Sequence, residues 1–128
     1  MKILSELIKE FSPPGIMRGG EFFLPYPKAL AFIDECAKNN LANLGVEGFL
    51  LVPEKDQIMA KWDMIANFSE PLGKILPWEE KVEYSRLASH AFLKELIAEG
   101  KDIEKNVFNF CIVSDDKARK EGEKTEIA

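Results

Sequence analysis

The strongest constraint on the fold is a change of hydrophobic period within residues 24–52, LPYPKALAFIDECAKNNLANLGVEGFLLV. Apolar residues first recur every three or four positions, which predicts a helix that Pro27 opens and Asn39-Asn40 ends. From Leu44 to Val52 apolar residues alternate and occupy both faces. A strand that is apolar on both faces is typical of the interior of a sheet. The segment therefore predicts a helix that leads directly into a central strand.

The same periodicity predicts further elements on both sides of this segment. Gly45 and Gly48 interrupt the central strand and indicate a bulge or the close approach of another backbone. A helix is predicted over residues 3–11 and a strand over residues 107–113. Residues 58–68 fit either a strand or a helix, and the clean alternation through residue 63 favours a strand. A long helix is predicted to start at Trp78, or alternatively at Ser85, and to end before Gly100. Residues 12–21 and 69–77 are predicted loops, with residues 22–24 packing the first loop onto the core. The predicted buried side of the long helix is Leu87, Ala88, Ala91, Ile97 and either Phe92 or Leu96.

These elements predict an α+β domain with a small mixed or antiparallel sheet of three to four strands and helices packed on one face. A chain of 128 residues allows one domain with its own core. We expect that domain to span residues 1–113. Residues 114–128 are charged, mixed in sign and poor in apolar side chains, which indicates a disordered tail.

Composition restricts the classes of function. The net charge of −5 disfavours a nucleic-acid binder and suits a basic protein partner, although solubility alone is the favoured explanation of a modest acidic balance. The longest apolar runs fall short of a membrane span, and the N-terminal segment is amphipathic rather than a signal peptide, so we expect a cytoplasmic protein. Cys36 and Cys111 lie inside apolar patterns, which favours two reduced buried thiols over a disulfide.

The sequence contains no pattern that points to catalysis. His90 is the single histidine, and a structural role is favoured over a catalytic one because no partner group is evident beside it. Calcium-loop, zinc and dinucleotide patterns are absent, so we expect no catalytic residue, no metal and no cofactor. One enzyme hypothesis stays open, in which Glu47 acts as an acid or base within a closed pocket.

Aromatic side chains next to carboxylates are the better candidates for function, because Trp and Tyr dominate binding hot spots. Trp62 precedes an acid and Trp78 precedes two. Core packing is favoured for Trp62 and surface exposure for Trp78, which follows Pro77. Glu47 is unusual as a charge within an apolar strand, where burial without a partner would be too costly. The predicted partner-binding residues are Glu47, Trp62, Asp63, Trp78, Glu79 and Glu80.

The segment LPYPKALAFIDECAKNNLANLGVEGF, together with SRLASHAFLKELIAE and VFNFCIV, resembles bacterial immunity proteins of the polymorphic-toxin type. The matching positions are Leu24, Pro25, Gly45 and Glu47. The resemblance implies a cytoplasmic protein without catalysis of its own, which covers the active surface of a toxin with acidic and aromatic groups. The alternative is a small structural or regulatory module without catalytic activity that self-associates, as a homodimer, through a strand edge or a helix face.

Overall fold

An antiparallel sheet organises the chain, which the computed structural model describes over residues 1–12, 15–18, 20–26, 28–74, 77–100, 105–115 and 126–127. All described strand pairs are antiparallel. The strands are β1 (Ile16–Arg18), β2 (Glu21–Pro25), β3 (Ala42–Val52), β4 (Gln57–Asn67), β5 (Asn106–Val113) and β6 (Glu126–Ile127). Their order is β1-β2-β5-β3-β4, with the short β6 paired to β5. The predicted α+β class is therefore confirmed, with more strands than predicted.

The helices are α1 (Leu4–Phe11), α2 (Lys28–Lys38), α3 (Ser69–Gly73) and α4 (Trp78–Ala98). Apolar residues of α1, α2 and α4 share one core cluster with Val46 of β3 and with Phe108 and Phe110 of β5. Those three strand residues lie on one face of the sheet, because Val46 pairs with Phe110 in an unbroken antiparallel register. The helices α1, α2 and α4 thus pack on a single face of the sheet, as predicted.

The strands β3 and β5 occupy the interior of the sheet, where their apolar residues on both faces predicted them. Both interruptions expected from the glycines of β3 are present. The register of β3 shifts against β5 between Asn43 and Val46, and it shifts against β4 between Glu47 and Phe49. A side-chain carbon on Gly45 would lie 2.8 Å from the carbonyl oxygen of Ala66, so the backbone of β4 approaches Gly45 closely, as the glycine indicated.

Two segments predicted as loops contain secondary structure, whereas the favoured strand after residue 57 and one of the two predicted starts of the long helix agree with the fold. Residues 16–18 and 21–25 pair as the strands β1 and β2, although a loop was predicted up to residue 21, because each strand is too short to show a clear period. The segment with ambiguous periodicity is a strand, β4, up to Asn67, and the loop predicted after it contains α3. The long helix begins at Trp78, the earlier of the two predicted starts.

The buried side of α4 includes Leu96, one of the two predicted alternatives, but otherwise differs from the prediction. It consists of Val82, Ser85, Ser89, Leu93 and Leu96, whereas Leu87 is 54% exposed and Ala91 is exposed. The two serines turn inward because Asn43 of β3 bonds to both of them. Its backbone N–H donates to Ser85 Oγ at 3.0 Å, and its side-chain amide donates to Ser89 Oγ at 2.8 Å.

The predicted division between a domain over residues 1–113 and a tail over residues 114–128 stays a prediction. The backbone of β6 pairs residues 126 and 127 with Ile112 and Cys111 of β5. Residues 116–125 and 128 lie outside the described part of the chain, as does Pro27.

Candidate functional site

The β3–β4 hairpin carries the most unusual surface feature of the molecule. Glu47 pairs with Ile65 and Phe49 pairs with Ala60, so residues 61–64 of β4 together face the single residue Gly48 of β3. This four-residue excursion ends at Met64, which is fully buried. A side-chain carbon on Gly48 would lie 2.6 Å from the Cβ of Met64, so the absence of a side chain at Gly48 gives Met64 its place. The excursion is therefore anchored in the core at one end.

Three predicted partner-binding residues lie at this excursion and beside it. The side chain of Trp62 is 85% exposed, and Asp63 and Glu47 are exposed as well. Glu47 shares a face with Ile65 and Asn109, the residues directly opposite it on the two neighbouring strands. That face is opposite to the one on which α1, α2 and α4 pack. The structure thus brings aromatic area and two carboxylates onto one hairpin.

The other three predicted residues lie on a different element, in the first turn of α4. Glu79 and Glu80 are exposed there. Trp78 is half-buried against a small cluster that includes Val82 and Val113, and its indole N–H donates to the carbonyl oxygen of Asn40 at 3.0 Å. The expected exposures of the two tryptophans are therefore wrong. Trp62 is the surface residue, and Trp78 closes one end of the core.

The surroundings of Glu47 bear on the enzyme hypothesis. Glu47 lines a depression of about 220 Å³ together with Ile65, Asn67 and Cys111. Burial raises the pKa of the Cys111 thiol, and the nearby carboxylate of Glu47 adds to that shift. A group with this shift stays a neutral thiol near pH 7 and is a poor nucleophile. Around Glu47 the described residues form an open depression rather than a closed pocket.

His90 has a structural partner rather than an evident substrate site. Its Nε2 lies 2.8 Å from Oδ1 of Asp34 in α2, and its side chain is 17% exposed. Ser85 and Ser89, the hydroxyl residues closest to His90 in sequence, are directed to Asn43 on the buried side of α4. The histidine therefore links α4 to α2, and the two serines are engaged elsewhere.

Two further findings concern only the described residues. They contain no group of three or more His, Cys, Asp or Glu side chains that could hold a metal ion. None of their helices combines the length and the apolarity that crossing a bilayer demands. Cys36 and Cys111 are both free thiols, the first buried and the second half-buried.

Sequence reasoning missed two exposed apolar residues of β4, which lie three positions before and three positions after Trp62. Met59 is 49% exposed and Ile65 is 39% exposed. Alternation along β4 does not predict which face each residue occupies, because odd-numbered side chains lie on one face before the excursion and on the other face after it. The available signal was the pair of glycines in β3, which indicated an irregular partner strand without showing where it begins.

Comparison of the chain with protein-family models, with curated proteins and with solved structures finds no match.

Proposed function

We propose that this chain is a cytoplasmic immunity-type protein, which binds and inhibits a cognate toxin and has no catalytic activity of its own. The observation that carries the proposal is the 85% exposure of Trp62 on an anchored excursion of β4. Hydration of a large aromatic surface is unfavourable, and burying it in a partner recovers free energy at about 25 cal/mol per Å². Tryptophan is also among the residues most enriched at binding hot spots.

The charge around Trp62 supports a basic partner. Glu47 and Asp63 are exposed on the same hairpin, and the whole chain carries a net charge of −5. Complementary charge accelerates encounter and suppresses wrong partners more than it adds affinity. In this proposal Trp62 supplies contact area, and the carboxylates on the β3–β4 hairpin determine which surface it meets.

The acids at the start of α4 have a different role in the proposal. Glu79 and Glu80 lie on another element than Trp62, and Trp78 beside them is half-buried and hydrogen-bonded to Asn40. We therefore assign the two carboxylates to long-range steering of a basic partner rather than to its central contact. Their effect should be largest at low ionic strength, because the Debye length shortens from about 30 Å at 0.01 M to about 8 Å at 0.15 M salt.

The test uses the protein encoded by the gene immediately upstream, where a large secreted toxin would stand. Co-expression of its C-terminal domain with this chain should rescue growth, and Trp62→Ala or Asp63→Lys should weaken the complex at least about tenfold. Leu87→Ala and Glu99→Lys are matched controls, because both residues are exposed on or beside α4, away from β4. Absence of binding and of rescue would reject the proposal. Rescue that both substitutions on β4 leave intact would reject the assigned surface.

A further inference from the structure

The strand β4 ends the sheet, and its middle does not present a regular edge. Residues 61–64 face only Gly48 of β3, so the excursion interrupts the row of backbone groups that an added strand would need. Ile65 lies on the face of Glu47, whereas Met59 lies on the opposite face with Leu50, its own partner on β3. Regular pairing of another strand along the whole of β4 would therefore put its two halves out of phase. Recognition at this edge has to use side chains.

The charges on either side of Trp62 make this segment complementary to an antiparallel copy of itself. The immediate neighbours of Trp62 are Lys61 and Asp63, which carry opposite charges. Three residues away on either side are Met59 and Ile65, which are 49% and 39% exposed. When two copies of this segment meet antiparallel about a twofold axis at Trp62, Lys61 of each copy meets Asp63 of the other. Met59 and Ile65 lie on opposite faces of the sheet and do not meet in this arrangement, so the contact is confined to residues 61–63.

We propose that the occupant of this edge is a second copy of the chain, held by Trp62 against Trp62 on the twofold axis and by two Lys61–Asp63 pairs. A twofold contact of this kind is self-complementary, as symmetric dimers require. A charge pair at the rim chooses orientation, while the aromatic pair supplies most of the buried apolar area. A patch centred on one short segment is small, so the dimer is weak and depends on concentration.

The dimer has a consequence for partner binding. Trp62 is the central contact of both surfaces, so a chain in the dimer cannot offer it to a toxin, and the two complexes exclude each other. The inference does not rest on the proposed function, because self-association is measured on the chain alone. A chain that stays monomeric and still neutralises a toxin would reject the dimer but not the proposed function. A chain that dimerises but neutralises no toxin would reject the proposed function but not the dimer.

Sedimentation equilibrium of the full chain between about 1 and 500 µM tests the inference, over the range in which weak interfaces associate. The native chain should pass from monomer to dimer, and Trp62→Ala should raise the dissociation constant at least about tenfold. Lys61→Glu and Asp63→Lys should each weaken the dimer, since each places like charges at both pairs. Leu87→Ala, an exposed apolar residue on α4, should have no effect.

The decisive measurement mixes the two charge-reversed variants. In a mixed dimer every side chain at position 61 again faces an opposite charge at position 63, so an equal mixture should associate more tightly than either variant alone. Circular dichroism and unfolding midpoints confirm that each variant is folded. A native chain that stays monomeric throughout, a dimer that tolerates Trp62→Ala, or a mixture that associates no better than its components would each overturn the proposal.

Discussion

At the scale of single residues, the absence of a side chain at Gly48 determines how β4 packs against β3. Gly48 has no side chain, and Met64 occupies the space that one would need. Met64 is fully buried, while Trp62, two residues earlier, is 85% exposed. One glycine in β3 therefore lets the neighbouring strand bury one large side chain and present another. The candidate surface and the core share this position.

Gly48→Ala should destabilise the protein strongly. The added carbon would lie 2.5 Å from Cε and 2.6 Å from Cβ of Met64, and 3.2 Å from its carbonyl oxygen, so backbone as well as side chain would have to move. We expect a loss of about 2 to 3 kcal/mol in the free energy of unfolding, measured by urea denaturation. Gly73→Ala is the matched control, because its added carbon meets no atom within 4 Å. Equal effects of the two substitutions would contradict the packing described for Met64.

Cys36 makes the stability of the protein depend on pH in the alkaline range. Burial raises the pKa of the Cys36 thiol above its ordinary value of 9.0, and the nearby Glu35 carboxylate adds to the effect. In the unfolded chain the thiol ionises near pH 9, whereas in the native chain it keeps its proton. The native state then binds more protons, so stability is fully present below pH 9 and falls as the pH rises above it.

The measurement compares native protein with Cys36→Ala by urea denaturation from about pH 7 to pH 10.5. Above pH 9 the native protein should lose up to about 1.4 kcal/mol per pH unit more than the variant. Other titrating groups, including Cys111, are present in both proteins and cancel in the difference. Parallel curves would show that the buried thiol does not contribute to the pH dependence.

At the scale of elements, the side chain of Asn43 supplies hydrogen bonds where the backbone pairing of β3 with β5 is interrupted. In the register shift between Asn43 and Val46, Oδ1 of Asn43 accepts from the N–H groups of Gly45 and Cys111, each at 3.2 Å. The amide of the same residue donates to Ser89 in α4. One buried amide thus joins both central strands to the long helix. Its loss would leave several buried polar groups without partners.

Asn43→Ala should cost about 3 kcal/mol or more, because each buried donor or acceptor left unpaired costs about 1 to 3 kcal/mol. Ser89→Ala removes a single donor and acceptor and should cost about 1 kcal/mol. Asn67→Ala is the control, since among the described residues Oδ1 of that exposed asparagine accepts from the backbone N–H and the hydroxyl of Ser69 at the start of α3. Urea denaturation of the three variants gives the order. A cost for Asn43→Ala no larger than that for Asn67→Ala would contradict a network that spans three elements.

This network also shows where sequence reasoning stops. The helix over residues 28–38 and the strands β3 and β5 follow from local periodicity, because each buries a face that its own apolar residues define. The buried side of α4 could not be predicted in this way. Ser85 and Ser89 look like surface residues until Asn43, more than forty positions away, satisfies their hydroxyls. For the candidate site, the assignment of Trp62 and Asp63 to a partner surface stays a prediction, and the exposure of Trp62 depends on a register shift that periodicity does not contain.

At the scale of the whole molecule, the contacts of the C-terminal segment decide where the domain ends. Residues 126 and 127 add a strand to β5, opposite Ile112 and Cys111. On its other side β5 pairs with β3 along most of its length, and Phe108, Phe110 and Ile112 of β5 belong to the main core. Among the described side chains, those of the main core come from segments up to and including β5. A two-residue strand adds few backbone hydrogen bonds to this arrangement.

A chain that ends at residue 115 should fold cooperatively and lose no more than about 1 kcal/mol, since a net backbone hydrogen bond contributes about 0.5 to 1.5 kcal/mol. The denaturant dependence should also be nearly unchanged, because its slope reports the surface exposed on unfolding. Urea denaturation and thermal melting of the shortened and full chains provide the comparison. A loss above about 3 kcal/mol, or a clear fall in slope, would show that residues 116–128 complete the core. The domain would then extend past residue 113, and the charged C-terminal segment would be part of the fold rather than a tail.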